Sequence, residues 1–261
     1  MVALTYLQFD VLFLLVPVAL LAVHRYQLDQ VAGPSVRLGV PLLVVVALLY
    51  TTPWDSYLID RGVWWYGDVA SVQAWLWGVP AEELAFVCLQ ATMTGLWFGA
   101  LRDDADWTTA PTRRQRVVGV AAGGAVAGAG AWLLGVPGGY YLAAILLWAA
   151  PVLALQWGFG WPVLWHHRRT VAVGVLLPTA YLATVDAFAI ASGLWVLSTV
   201  HTTGILIGGY LPVEEVTFFL VTNLFVVQGL ILLRWLIERV DASAVPRPDQ
   251  SDSADFASRS R

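Results

Sequence analysis

Long apolar runs separated by short polar links dominate the chain. Runs long enough to cross ~30 Å of hydrocarbon fall near residues 4–23, 37–53, 80–101, 117–135, 140–161, 171–193 and 211–235. The pattern predicts about seven transmembrane helices. Polar positions at the ends of these runs recur. Residues 55–64 read DSYLIDRGVW and residues 186–195 read DAFAIASGLW, both fitting D-x-[YF]-x-I-x-x-G-x-W. PAEELAF (80–86) and PVEEVTF (212–218) both fit P-x-E-E-x-x-F. The offset is 131 for the first pair and 132 for the second, so one inserted residue separates the two alignments. A weaker match joins Tyr6 and Pro17 to Tyr140 and Pro151.

Spans 1–3 and 5–7 therefore read as duplicates. Two three-span units fused directly would point in opposite directions, and the fourth span restores a common direction. The expected fold class is an all-α integral membrane protein: two parallel three-helix repeats, related by an axis along the membrane normal and joined by one extra helix. The expected boundaries are 1–101 for the first repeat, 102–136 for a cytoplasmic loop and linker helix, 137–236 for the second repeat and 237–261 for a disordered acidic tail. Within span 4, Gly124-x-x-x-Gly128 predicts close helix packing. A dinucleotide fingerprint would need a strand–turn–helix context that is missing there.

Composition fits this picture. Hydrophobic residues make up 59% and charged residues 12%, against roughly 25% charged in a soluble domain, so lipid must act as solvent. Residues 1–24 lack the basic start and small-residue cleavage site of a signal peptide and read as the first span. The single cysteine, Cys88, excludes an intramolecular disulfide. All fourteen basic residues are arginine. With no lysine there is no Schiff-base nitrogen, which excludes a retinal protein despite the seven spans. Thirteen of the arginines fall in the links after spans 1, 3 and 5 or at the C-terminal end, and only Arg61 lies on the other side. The positive-inside rule then puts the N-terminus outside and the C-terminus in the cytoplasm.

Nine of the eighteen acids fall on or near the outer side: Asp10, Asp55, Asp60, Asp68, Glu82, Glu83, Asp186, Glu214 and Glu215. A lone glutamate there would need only the helix macrodipole as explanation. The same pair recurring in both copies, beside a recurring aspartate and with one arginine available, points to function. At least one of the four glutamates is expected to hold a proton near neutral pH, the state a general acid needs. Adjacent glutamates point about 100° apart on a helix, so one of each pair should face inward, and the sequence leaves open which. Many nearby aromatics suit an interfacial belt. Phe86 and Phe218 differ in sharing a helical face with the glutamates, where they could stabilise a carbocation. Such an acid-and-aromatic setting suits protonation of an alkene. Asp103, Asp104 and Asp106 read as a solvated loop rather than a magnesium-diphosphate site. His166 and His167 read as cytoplasmic anchoring, His201 is a lone loop histidine, and no metal site is expected. A cation-coupled transporter is the rival class, but the acids lie at helix ends rather than mid-span.

The duplicated motifs, Trp54–Asp55 after span 2 and the seven-span layout resemble the membrane lycopene cyclases of archaea, some bacteria and fungi, in the fused archaeal form. The resemblance covers residues 1–236 and implies a lycopene β-cyclase of carotenoid biosynthesis. An acid protonates C2 of the open end group, the C5–C6 double bond attacks the C1 cation, and a base removes the C6 proton. No electron is transferred, so no cofactor is expected. The implied catalytic residues are Glu82, Glu83, Glu214, Glu215, Asp55 and Asp186, with Trp64, Trp65, Phe86, Trp195 and Phe218 against the substrate. The implied partners are a carotenoid within the bilayer, the lipid itself and other carotenoid enzymes, with no nucleic acid. A C50 carotenoid is the alternative substrate. The second half departs from the pattern, with Thr184–Val185 where the first has Pro53–Trp54.

The arginine asymmetry generates a direct test. A reporter fused after Arg239 is expected to report cytoplasm, and one inserted in the 194–210 loop to report the exterior. The opposite pattern would overturn the orientation.

Overall fold

The computed structural model describes residues 4–27, 33–72, 74–103 and 107–244. Asp104, Asp106 and residues 245–261 lie outside them. The described residues form seven long helices. Helix α1 is α-helical over Tyr6–Asp10, π-helical over Val11–Leu15 and α-helical again over Val16–Gln27. The others are α2 (Pro34–Asp60), α3 (Ala81–Ala100), α4 (Arg113–Leu133), α5 (Tyr140–His166), α6 (Arg168–Ala191) and α7 (Val213–Ala244). Six are long and apolar enough to span a membrane. The exception is α3, whose 20 residues give ~30 Å of helix but include Glu82, Glu83 and Gln90. Its polar side chains face the protein. Gln90 donates to Thr222 Oγ1 (2.6 Å), Thr94 to Asn223 Oδ1 (2.6 Å), and Asn223 Nδ2 to Thr179 Oγ1 (3.0 Å). These bonds tie α3, α6 and α7 together within the bundle, each contributing about 0.6 kcal/mol in a membrane interior.

Short strands lie beyond the helix ends: β1 (Trp64–Tyr66), β2 (Trp75–Leu76), β3 (Val79–Pro80), β4 (Trp195–Leu197), β5 (Leu206–Ile207) and β6 (Leu211–Pro212). The β2–β3 and β5–β6 hairpins lead into α3 and α7. Pro80 is thus the last hairpin residue and the N-cap of α3, outside the helix rather than in its first turn. Strands β1 and β4 pair antiparallel across the two halves, Trp64 with Leu197, Trp65 with Val196 and Tyr66 with Trp195. Trp65 and Val196 are also 131 apart, so corresponding residues face each other at the middle of the ribbon. The flanking bonds correspond too: Gly67 N–H donates to Leu194 O and Ser198 N–H to Val63 O, each at 2.9 Å.

The first repeated motif now has a physical reading. Its glycine, Gly62 or Gly193, ends α2 or α6 in the left-handed region (φ 65° and 74°). Val63 N–H then reaches back to Leu58 O, and Leu194 N–H to Ala189 O, the 6→1 bond of a Schellman stop. The turn brings the motif tryptophan back over its own aspartate.

Helix α4 packs chiefly along α5, and its glycines make the approach possible on a face other than the expected one. A Cβ at Gly119 would lie 2.2 Å from Trp157 O, and one at Gly123 2.4 Å from Ala154 Cα. Gly124 and Gly128 have nothing within 4 Å. The expected Gly124-x-x-x-Gly128 contact is therefore replaced by Gly119-x-x-x-Gly123, because the helix turns its other glycine row to α5. The link between α5 and α6 also differs from expectation. His167 is buried, stacks on Trp107 (centroids 3.9 Å apart) and meets Asp103 at 2.8 Å from Nδ1 to Oδ2. Asp103 is a partner in this contact rather than a solvated loop acid. Gly123→Leu should destabilise the protein by about 1–3 kcal/mol, the usual cost of overpacking, while Gly124→Leu should be near neutral. Thermal unfolding of the full chain in detergent checks both; equal effects would sink this assignment of faces.

Candidate active site

The hairpins place the N-termini of α3 and α7 beside the ends of α2 and α6, and this gathers four carboxyls. Asp55, Glu83, Asp186 and Glu215 all line one cavity of about 50 Å³. Its other walls include Tyr6, Tyr141 and the aromatics Trp54, Trp64, Phe86, Trp195, Phe218 and Phe219, and no basic residue lines it. Each half supplies one aspartate and one glutamate.

The glutamate that lines the cavity is the second of the pair in both halves. Glu83 Oε2 accepts from the hydroxyls of Tyr6 (2.7 Å) and Tyr66 (3.1 Å), and Asp55 lines the cavity beside it. Glu215 accepts from Tyr141. The first glutamates do not line the cavity. Glu214 is fully buried and accepts the Thr203 backbone N–H at 2.7 Å, tying down the loop before β5. Glu82, half-buried like Glu83, keeps one oxygen, Oε2, buried with no hydrogen bond among the described residues. In the second half Trp195 Nε1 donates to Asp186 Oδ1 at 2.9 Å, and Trp64 makes the corresponding bond to Asp55. The other oxygen of each aspartate, Oδ2, is buried with no hydrogen bond among the described residues.

Among the expected aromatics, Trp64, Trp195, Phe86 and Phe218 line the cavity, whereas Trp65 points to the opposite face of β1 and is 44% exposed. Sequence reasoning missed the tyrosines. Tyr6 had been matched to Tyr140, yet Tyr141 is the residue that hydrogen-bonds the second-half glutamate. Tyr140 instead bonds Tyr57 on the outer surface (2.9 Å). The π turn accounts for the shift: eleven residues separate Tyr6 from Pro17 and ten separate Tyr141 from Pro151, and a π-bulge absorbs one extra residue. Burial, followed by the nearby Glu83, holds the Tyr66 hydroxyl above its ordinary range, so it stays a donor. Asp10, buried just before the π turn with neither carboxyl oxygen hydrogen-bonded among the described residues, was also missed.

Chemically the cavity holds carboxyls and hydroxyls side by side, walled by π faces. That makes the chain a membrane-embedded protein equipped for acid–base chemistry on an apolar substrate. Comparison with known proteins gives the family. Over 201 residues the chain is 52% identical to the lycopene beta-cyclase of Halobacterium salinarum, covering 77% of this chain and 84% of that protein. It is 34% identical over 200 residues to the bifunctional lycopene cyclase/phytoene synthase of Gibberella fujikuroi, covering 72% of this chain and 33% of that one. The corresponding Aspergillus oryzae protein is 30% identical over 222 residues, covering 81% and 37%. No protein-family model and no solved structure matches. The chain belongs to the lycopene cyclase family.

The glutamates that line the cavity and those that do not can be separated by experiment. Glu83→Gln and Glu215→Gln should each lower ring formation by about 10²- to 10⁴-fold, the usual loss with a general acid or base. Glu214→Gln should stay within a few-fold of wild type, because an amide oxygen can still accept from Thr203, and Glu82→Gln should do the same. Pigment assays on membranes with matched protein content would decide; a dead Glu82→Gln with an active Glu83→Gln reverses the assignment.

Proposed function

We propose that this chain is a lycopene β-cyclase whose single composite site closes the open end groups of lycopene one at a time. The observation that carries the reading is the gathering of two aspartates and two glutamates, one of each from either half, in an aromatic cavity without a basic residue. An open end group carries no charge and no heteroatom, so protonation at carbon is the step to be catalysed. The proton adds to C2 and leaves a cation at C1. The C5–C6 pair forms the C1–C6 bond and moves the cation to C5, and loss of the C6 proton restores the double bond. One proton enters and one leaves, with no net redox change.

Glu83 is the proposed base. Two tyrosine hydroxyls donate to it, and donors of this kind favour the ionised form. Glu215, with only Tyr141 as a hydroxyl donor, is the proposed acid, and Asp186 lines the cavity beside it. After each turnover the proton sits on the wrong side, and the cluster of carboxyls offers the path to return it. The indole and phenyl faces of Trp54, Trp64, Trp195, Phe86 and Phe218 would stabilise the cation as it moves from C1 to C5, by about 2 kcal/mol or more per well-placed desolvated contact. The two halves are proposed as parallel repeats about the β1–β4 ribbon, with the ribbon and the acids at the outer face of the membrane. The duplicated motifs and the central Trp65–Val196 pair support the repeat, and the arginine distribution supports the orientation.

Expression in a lycopene-accumulating bacterium tests the activity, since unchanged red pigment would overturn it. The timing of the products tests the single site. An extended C40 chain is about as long as the hydrocarbon core, ~30 Å, so its two ends cannot reach one cavity together. With limiting lycopene, monocyclic γ-carotene should rise and then decay as β-carotene accumulates. If only β-carotene appears from the first turnover, even with lycopene in large excess, the two ends are processed at separate sites.

A further inference from the structure

The acid cavity, at about 50 Å³, has space for one or two waters, not for a polyene. Two larger apolar clefts flank it. One, of about 470 Å³, opens between α2 and α5 and is walled by Ala47, Tyr50, Trp148, Leu155, Phe218 and Phe225 among others. The other, of about 720 Å³, opens between α1 and α6 and includes Pro17, Leu21, Met93, Ala180 and Tyr181. The two correspond in position. Tyr50 and Tyr181 are 131 apart, Met93 and Phe225 132, and Pro17 and Pro151 134. Tyr50 donates its hydroxyl to Trp148 O (2.7 Å), and Tyr181 donates to Phe13 O (2.9 Å).

They differ at the end nearest the acids. Phe218 lines both the α2–α5 cleft and the acid cavity. Trp54, a wall of the acid cavity, stacks on Trp148 of the cleft, with centroids 4.7 Å apart and planes at 20°. Trp148 in turn stacks on Tyr50 at 5.5 Å and 24°. An unbroken run of aromatic faces therefore leads from the carboxyls into the cleft. No residue of the α1–α6 cleft lines the acid cavity. Where this side has Trp54 in the acid cavity and Trp148 and Phe225 in the cleft, the corresponding positions on the other side are Val185, Leu14 and Met93.

We propose that the α2–α5 cleft is the seat of the substrate's conjugated polyene chain, delivering one end group to the acids past Phe218, and that the α1–α6 cleft takes no part. This rests on the cyclase reading above. The occupant follows from the lining. A flat conjugated chain gains by lying against aromatic faces, and the larger cleft, whose rings are Trp97, Tyr181 and His24, has no stacked run of them leading to the acids. The length also fits. Twelve residues of α2 separate Leu43, at the far end of the cleft, from Asp55, about 18 Å of helix and over half of an extended C40 chain. The rest would pass the exposed Leu155 into the bilayer.

Narrowing each cleft in turn tests the proposal on the full-length protein. Ala47→Phe should lower kcat/KM for lycopene by roughly 10- to 100-fold, the scale of loss when a substrate is misplaced. Ala180→Phe, on the exposed side of the other cleft, should leave it within twofold. Leu155→Trp, at an exposed mouth position that should not disturb folding, should also raise KM, with kcat changed less. A binding readout accompanies these. In a lycopene-producing host the Glu215→Gln variant should co-purify with red pigment, Glu215→Gln with Ala47→Phe should lose it, and Glu215→Gln with Ala180→Phe should keep it. Wild-type rates in both Ala47→Phe and Leu155→Trp, or pigment and rate lost only through Ala180→Phe, would overturn the assignment while the cyclase reading stood. Failure of the wild type to cyclise lycopene would remove both.

Discussion

A carboxyl group held at the edge of hydrocarbon with no cation beside it is costly, and this protein gathers four of them in one place. The surrounding architecture makes that arrangement tolerable. Helix α7 presents two glutamates in its first turn, as does α3, so each pair sits at the favourable end of a helix dipole. Tyrosine hydroxyls donate to Glu83 Oε2 and a tryptophan indole to Asp186 Oδ1. The β1–β4 ribbon is the brace. By pairing the two halves directly after α2 and α6 end, it holds Asp55 and Asp186 against the glutamates of the next helices. Without that brace the four groups would repel one another and take up water.

The same constraint explains what could be read from the sequence. Hydrocarbon thickness fixes the length of each apolar run, so the spans were legible, and the repeated acids stood out because an acid in such a run needs a reason. The parts that were not legible depend on rotation about a helix axis, which apolar composition leaves undetermined when most of a helix faces lipid. Helix α4 is glycine-rich on two faces, and only the packing against α5 distinguishes Gly119 and Gly123 from Gly124 and Gly128. The choice between Glu82 and Glu83 was a rotation of about 100°. Tyr141 was hidden differently: a π turn in one repeat shifts the register by one residue, and an alignment by residue type then settles on the adjacent Tyr140. His167 and Asp103, 64 residues apart, gave no sequence signal that one would bury itself against the other.

Duplication supplies two of everything, but the reaction needs its two sides to differ. A donor and an acceptor of protons cannot have the same environment, since the group that gives the proton must be the weaker base at that moment. The hydrogen bonds already break the symmetry: Glu83 is held by Tyr6 and Tyr66, whereas Glu215 has Tyr141 as its hydroxyl partner. The position corresponding to Tyr66 in the second half is Leu197, which carries no hydroxyl.

The aromatic clefts break it in the same direction. Pro53–Trp54 in the first half faces Thr184–Val185 in the second, and Trp54 is the ring that joins the acid cavity to Trp148. A departure from the repeated pattern thus falls where a two-fold site would otherwise present two equal doorways to one small cavity. Two equal doorways would let a long chain enter in either direction past the same acids, so the group placed to protonate C2 would face C6 in half of the encounters. One aromatic doorway fixes the direction of approach, and with it which carboxyl meets which carbon. Divergence between the halves is therefore what allows a duplicated scaffold to carry out a directional proton transfer.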